Sequence, residues 1–154
     1  MHSRAVRIEP AGGDADGAMF RERDAWRYDP PYDLYDGDGL PVKNPELFHA
    51  VRDDGGALVG FYFFEPRGDA LFYGFGLRPD LTGRGLGEQF VLAGLDYARG
   101  LGTWHRVVLD VAAFNERAIR LYRRLGFTET GRYTATVGRH GAIDFIEMEM
   151  PAPG

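Results

Sequence analysis

The chain contains no cysteine, one serine, Ser3, and one lysine, Lys43, and each shortage closes a class of chemistry. Without cysteine there is neither a disulfide nor a thiol nucleophile. Ser3 sits beside the N-terminus with no setting for a catalytic triad, so covalent serine catalysis is excluded as well. The four histidines, His2, His49, His105 and His140, are scattered with no pair at helical or hairpin ligand spacing, and no metal is expected. No segment approaches the roughly 20 apolar residues of a membrane span, and no apolar run follows the charges of residues 1–7. The expectation is a soluble, cytoplasmic protein with no membrane contact. A net charge of -5 counts against nucleic-acid binding, which draws on clustered Lys and Arg. Arg117, Arg120, Arg123 and Arg124 do cluster, on a predicted helix whose outer face they would solvate.

What is present suits one domain over residues 1–154, with a hydrophobic content of 44% that is sufficient for a core. The most informative stretch is Leu77 to Glu88, where Gly83, Gly85 and Gly87 alternate between an apolar strand and an amphipathic helix. Glycine permits a tight turn and close approach of a ligand, and the free N–H groups of a first helical turn favour an anion. With Lys43 far upstream, a Walker-type loop is excluded. The dinucleotide fingerprint also fits badly, because its third glycine follows the second by three residues rather than two.

Periodicity orders the remaining chain. Ala5 to Glu9 reads as a strand, and Asp14 as the cap of a helix reaching about Tyr28, with Ala18, Met19, Ala25 and Trp26 inward. Residues 29–39 are turn-formers. Phe48 to Arg52 and Leu58 to Glu65 form a hairpin across Asp53-Asp54-Gly55-Gly56, and Ala70 to Leu77 follows as a strand. Its Gly74 and Gly76 suggest a bulge or the approach of another backbone or ligand. Glu88 to Arg99 is a helix with Val91, Leu95 and Ala98 on one face. His105 to Val111 reads as a buried central strand interrupted by Asp110, and a buried carboxylate without a task or partner is costly. A helix from Asn115 buries Ala118, Leu121, Tyr122 and Leu125 and stops at Gly126; Phe127 to Val137 and Ile143 to Met150 close the sheet. The order implies an α/β protein with a mixed sheet rather than a doubly wound one.

Two segments then carry a resemblance. Thr82-Gly83-Arg84-Gly85-Leu86-Gly87, behind Arg78-Pro79 and ahead of the Glu88 to Ala98 helix, resembles motif A of the GNAT superfamily of N-acetyltransferases, with Thr82 in place of the usual Gln or Arg. Asn115-Glu116-Arg117-Ala118-Ile119-Arg120-Leu121-Tyr122-Arg123-Arg124-Leu125-Gly126-Phe127 resembles motif B, with its Asn, Ala, Leu-Tyr and Gly-Phe elements in order.

The resemblance implies a GNAT-like fold with a splayed central sheet flanked by helices, and transfer of acetyl from acetyl-CoA to a primary amine in a ternary complex. Backbone groups from Thr82 through Gly83, Arg84, Gly85, Leu86, Gly87 and Glu88 would hold the pyrophosphate, those near Phe75 and Leu77 the pantetheine, and Asn115 a further coenzyme contact beyond its role as helix cap. Tyr122 would protonate the departing sulfur, and Asp110, five residues before Asn115, would accept the amine proton through a water. Two plainer roles stand beside these: Tyr122 as a core residue and Asp110 as an ion-pair member. Trp26, Tyr28, Tyr32 and Tyr35, with aspartates 29, 33, 36 and 38, would shape a pocket for a small-molecule or peptide amine, against the plainer reading of a solvated loop. The chain would act alone or as a homodimer. A non-catalytic acyl-CoA sensor or partner-binding module, and a binder of some other phosphate compound, are the open alternatives.

Overall fold

The structure is a computed structural model and describes residues 6–11, 18–36, 43–83 and 85–152. The expectations placed on Ala5, Asp14, Asp38 and Arg84 lie outside the described residues. In chain order the elements are β1 (Val6–Pro10), α1 (Ala18–Asp24), β2 (Phe48–Asp53), β3 (Leu58–Arg67), β4 (Ala70–Leu77), α2 (Gly87–Arg99), β5 (Arg106–Ala112), α3 (Glu116–Leu125), β6 (Thr128–Thr136) and β7 (Ala142–Pro151). The strands form one sheet in the order β1-β2-β3-β4-β5-β7-β6. It is a mixed α/β architecture: β4 pairs with β5 in parallel at Ala70–Arg106, Leu71–Val107 and Phe72–Val108, whereas β5 with β7 and β6 with β7 are antiparallel.

By its internal contacts the chain divides into two compact units, Met1–Phe64 with Phe75–Asp96, and Glu65–Gly74 with Tyr97–Gly154. In the first unit, the β2–β3 turn is closed by one side chain: the Asp53 carboxylate accepts from the N–H groups of Gly55 and Ala57, each at 3.0 Å. Gly56 supplies the positive φ of 88° that the turn needs. The core here is aromatic. Phe20 meets Phe48 edge-on at 5.2 Å, and Tyr62 stacks on Phe90 of α2 at 4.6 Å while its hydroxyl donates to the Phe90 carbonyl. Helix α2 buries Phe90, Val91, Leu95 and Ala98, the face its spacing predicts together with Phe90.

Helix α1 corrects the sequence reading. Among described residues it is short, it buries Met19 and Phe20, and Ala18 and Ala25 are exposed. The helix ends at Asp24, so Ala25 and Trp26 lie beyond it, and the large ring at Phe20 takes the inward position.

In the second unit, Val107, Leu109 and Val111 of β5 are buried together with Ile146 and Met148 of β7 and Ile119, Tyr122 and Phe127. Asp110 points to the other side of the sheet and is exposed, which corrects the expectation of a buried carboxylate. Strand alternation explains it: residues one apart face opposite sides, so an apolar run can still hide one polar face. Helix α3 begins where Asn115 accepts from the Ala118 N–H at 3.3 Å, and ends at Gly126, whose φ of 112° lets its N–H reach the Arg123 and Tyr122 carbonyls. Its buried residues are Ile119 and Tyr122; Ala118, Leu121 and Leu125 are only half-buried, a further correction. The arginines 117, 120, 123 and 124 are exposed.

Candidate functional site

The glycine-rich turn lies in the first unit. A single 3-10 turn over Pro79–Leu81 precedes it, and Thr82 closes that turn by donating from Oγ1 to the Pro79 carbonyl at 2.7 Å. Thr82 is therefore a turn-former in its own right, and Arg78 is steadied beside it by two hydrogen bonds to the Asp80 carboxylate. Gly83 and Gly85 both adopt φ 74°, a region L side chains rarely enter. A Cβ built on Gly85 would meet no atom within 4 Å, so the glycine answers to backbone conformation and leaves open space in front of the turn. The first bond of α2 runs from the Phe90 N–H to the Leu86 carbonyl. The amides of Gly87 and Gln89 precede that bond in the first turn of the helix, where backbone N–H groups lie ahead of the ladder of helical bonds. Open space at a left-handed glycine two residues ahead of the positive end of a helix dipole suits a phosphate group.

Strand β4 leads into this turn, and two of its features are occupied from within the same unit. A Cβ on Gly76 would collide with the Phe61 ring, which accounts for that glycine by internal packing rather than by the approach of a ligand. Phe61 is itself held between Trp26, stacked at 6.4 Å, and Phe48 at 5.8 Å. The Leu77 carbonyl accepts from the Tyr28 hydroxyl at 2.7 Å. Phe75 packs edge-on against Phe90 at 6.2 Å.

Of the residues expected around an acceptor amine, Trp26 thus packs against Phe61. Tyr32 and Tyr35 bound a 3-10 turn, with Tyr35 set edge-on to Tyr28. Asp36 turns inward and accepts from the Tyr28 N–H at 2.8 Å.

Asp110, Asn115 and Tyr122 lie in the second unit. The Tyr122 ring is buried on the inner face of α3, edge-on to Phe127 at 5.9 Å, so it has a core role whatever else it does. On the exposed face of β5, Asp110 Oδ2 accepts a hydrogen bond of 2.6 Å from the hydroxyl of Tyr133 on β6. This replaces the ion pair with an arginine considered from sequence. Next to the pair is a cavity of about 240 Å³ bordered by Phe72, Val108, Asp110, Thr130 and Glu147, with Arg67 and Arg106 at its edge. Arg67 lies over the Phe72 ring at 4.0 Å and binds Glu65, while Arg106 bridges Asp69 and Glu149. Tyr133 was not singled out from the sequence, because its contact spans β7 and depends on sheet register. Among the described residues no three His, Cys, Asp or Glu side chains converge as metal ligands. No helix among them is long and apolar enough to cross a membrane.

Comparison with known proteins places these features. Residues 16–127 match the model of the acetyltransferase (GNAT) family. The chain is 41% identical over 100 residues to the mycothiol acetyltransferase of Clavibacter michiganensis subsp. michiganensis, an overlap of 63% of this chain and 32% of the relative. With the mycothiol acetyltransferase of Geodermatophilus obscurus it shares 33% identity over 131 residues, 82% of this chain and 39% of the relative. The chain spans about a third of the length of the curated relatives it matches. Among solved structures, spermidine N-acetyltransferase from Vibrio cholerae in complex with CoA and spermine superposes with a TM-score of 0.71 at 18% identity, covering 96% of this chain and 95% of that one. The ribosomal-protein-S18-alanine N-acetyltransferase from Escherichia coli gives 0.66 at 21% identity, covering 97% and 96%. These two likenesses are of fold.

Proposed function

This chain belongs to the GNAT acetyltransferase family, and on that premise we propose that it transfers the acetyl group of acetyl-CoA to the nitrogen of a primary amine. The observation that carries the proposal is the turn at Gly83 and Gly85, two left-handed glycines just ahead of α2, with open space where a Cβ of Gly85 would project. The first amides of α2 would hold the coenzyme pyrophosphate, with Phe75, Leu77 and Asn115 as further coenzyme contacts. Acetyl-CoA supplies the acetyl group already activated as a thioester. The chain has no cysteine, and its one serine is Ser3, which favours direct transfer between two bound reactants over an acyl-enzyme. Overall the amine nitrogen gains a bond to the acetyl carbon and the carbon–sulfur bond breaks. Asp110 takes the amine proton through a water and Tyr122 delivers one to the thiolate.

The names of the relatives and neighbours, mycothiol acetyltransferase and spermidine N-acetyltransferase, support a small-molecule acceptor, and a peptide N-terminus is the second class to test. A thermal-shift panel of acetyl-CoA, longer acyl-CoAs, NAD and ATP reads the ligand, since one bound only by the native state raises the melting point. Thiol release is then followed with polyamines, amino sugars, amino acids and peptides. Acetyl-CoA is expected to stabilise the protein and one amine class to release thiol. Stabilisation by acetyl-CoA with no thiol release from any amine would identify a non-catalytic acyl-CoA-binding module instead, and stabilisation by NAD or ATP alone would refute the family chemistry altogether.

A further inference from the structure

We infer that Tyr133 is a positioning residue for this reaction: its phenol reaches across β7 and fixes the carboxylate of Asp110 in one orientation. The inference rests on the proposed role of Asp110 as proton acceptor.

Three features of the second unit converge on the contact. Tyr133 and Phe145 are register partners on β6 and β7, and their rings stack nearly parallel, 17° apart with centroids at 5.3 Å. Phe145 lies two residues from Glu147, the register partner of Asp110, so Tyr133, Phe145 and Asp110 share one face of the sheet. Second, the β6–β7 register shifts between Glu129 and Gly131, just before Tyr133. Such a bulge adds local twist and re-aims the side chains that follow it. Third, Glu147 is the register partner of both Asp110 and Gly131. A Cβ on Gly131 would lie 2.7 Å from Glu147 Oε1, so this glycine lets the Glu147 carboxylate lean over β6 and away from Asp110. The outcome is a 2.6 Å hydrogen bond from a phenol to a carboxylate two strands away, the length of a charge-assisted bond.

An exposed aspartate with nothing to hold it samples several rotamers, and only some present an oxygen to the acceptor amine. With Oδ2 engaged by Tyr133, Oδ1 is the atom left to receive the proton relayed by water. Burial first, then the Asp110 hydrogen bond and the charges of Asp110 and Glu147, push the Tyr133 phenol above its ordinary range, so it stays a donor. The other charged groups facing the pair are Glu147 and Glu149 on β7, Arg106 on β5 and Arg67 at the end of β3. Arg106 is engaged by Asp69 and Glu149, and Arg67 by Glu65.

The test compares Tyr133→Phe, Tyr133→Leu, Asp110→Asn and the Tyr133→Phe/Asp110→Asn pair in the intact chain. The amine is spermidine, an alanine-initiated peptide or glucosamine, whichever turns over fastest with acetyl-CoA. Tyr133→Phe keeps the stacking on Phe145 and the melting point. It should lower kcat about tenfold, as loss of a charge-assisted hydrogen bond does, without changing the KM for acetyl-CoA. In the Asp110→Asn background the same change should do nothing further.

A wild-type kcat in Tyr133→Phe, beside an impaired Asp110→Asn, overturns the inference and leaves the proposed function intact. So does a loss seen in Tyr133→Leu but not in Tyr133→Phe, which would make the ring a packing element, or a loss that adds to that of Asp110→Asn. Full activity of Asp110→Asn at every pH would remove the proton acceptor and this inference with it.

Discussion

Replacing Gly85 by alanine separates what the glycine turn does for folding from what it does for a ligand. Gly85 has φ 74° and open space where a Cβ would project, so an alanine meets no steric obstacle in the folded protein. Its cost is conformational alone, about 1–2 kcal/mol for an L residue in the left-handed region, or roughly 2–8 °C of melting point in a chain of this size. Gly56, in the β2–β3 turn, is an internal control: φ 88°, again with no atom within 4 Å of a built Cβ. Gly56→Ala should cost the same in stability. The two variants diverge in binding. At Gly85 the new methyl occupies the space a phosphate needs to reach the amides, and losing one charge-assisted hydrogen bond is worth about 1.5–3 kcal/mol, a drop of roughly 10- to 150-fold in affinity. Isothermal titration with CoA measures this directly, with thermal denaturation alongside. Parent affinity in Gly85→Ala, together with the expected loss of melting point, would refute the phosphate cradle. An equal loss of affinity in Gly56→Ala would show that the assay reports global stability instead.

Three other substitutions probe separate links. Tyr122→Phe should keep its packing against Phe127 and its melting point but lose about 10²- to 10⁴-fold in turnover if the hydroxyl supplies a proton; a single-turnover rate equal to the parent's would leave only the core role. Gly76→Ala forces the Phe61 ring from its place between Trp26 and Phe48 and should cost about 1–3 kcal/mol in urea denaturation, part of it recovered when Phe61→Leu is added; no recovery would mean the glycine serves something other than that ring. Burial lowers the pKa of His49, a residue 8% exposed whose ring packs beside Phe64, so the unfolded chain binds the proton more readily than the folded one. Its contribution to stability is present above the ordinary histidine value of about 6.5 and is lost as pH falls toward the lower folded value; His49→Gln should flatten that slope in denaturation curves, and an unchanged slope would assign it to other groups.

Local chemistry was legible and tertiary geometry was not. Asn115 and Gly126 announced the ends of α3 because caps act over three or four residues, and alternating glycines at a strand-to-helix junction admit few conformations. The resemblance those two motifs carry agrees with the family match over residues 16–127. Asp110 was misplaced because its apolar neighbours were read as one buried run. Period-two alternation sets it with Val108 and Arg106 on the face opposite Val107, Leu109 and Val111, and that signal was available. Phe20 and Ile119 went unnoticed as core residues for a different reason, since which flank of a short amphipathic helix turns inward is decided by the sheet it meets. The Tyr28 contact with Leu77 and the Tyr133 contact with Asp110 join residues far apart in sequence, and nothing local encodes them.

The hydrogen bonds around Tyr28 make residues 29–35 a replaceable cassette. The Tyr28 hydroxyl is anchored on the Leu77 carbonyl, and its amide is bonded to the Asp36 carboxylate at the far end of the loop. The hydrogen bonds that hold the two ends thus use no side chain of residues 29–35. Doubling the length of a flexible loop adds only about 0.6 kcal/mol of closure entropy, so insertions or substitutions at the tip can be made at little thermodynamic cost while the strand that feeds the glycine turn stays in place. Variation between Tyr28 and Asp36 is then a route by which the same scaffold could be re-fitted to a new small molecule, and libraries randomised at Tyr32 and Tyr35 with both anchors retained should stay folded far more often than libraries that include Tyr28.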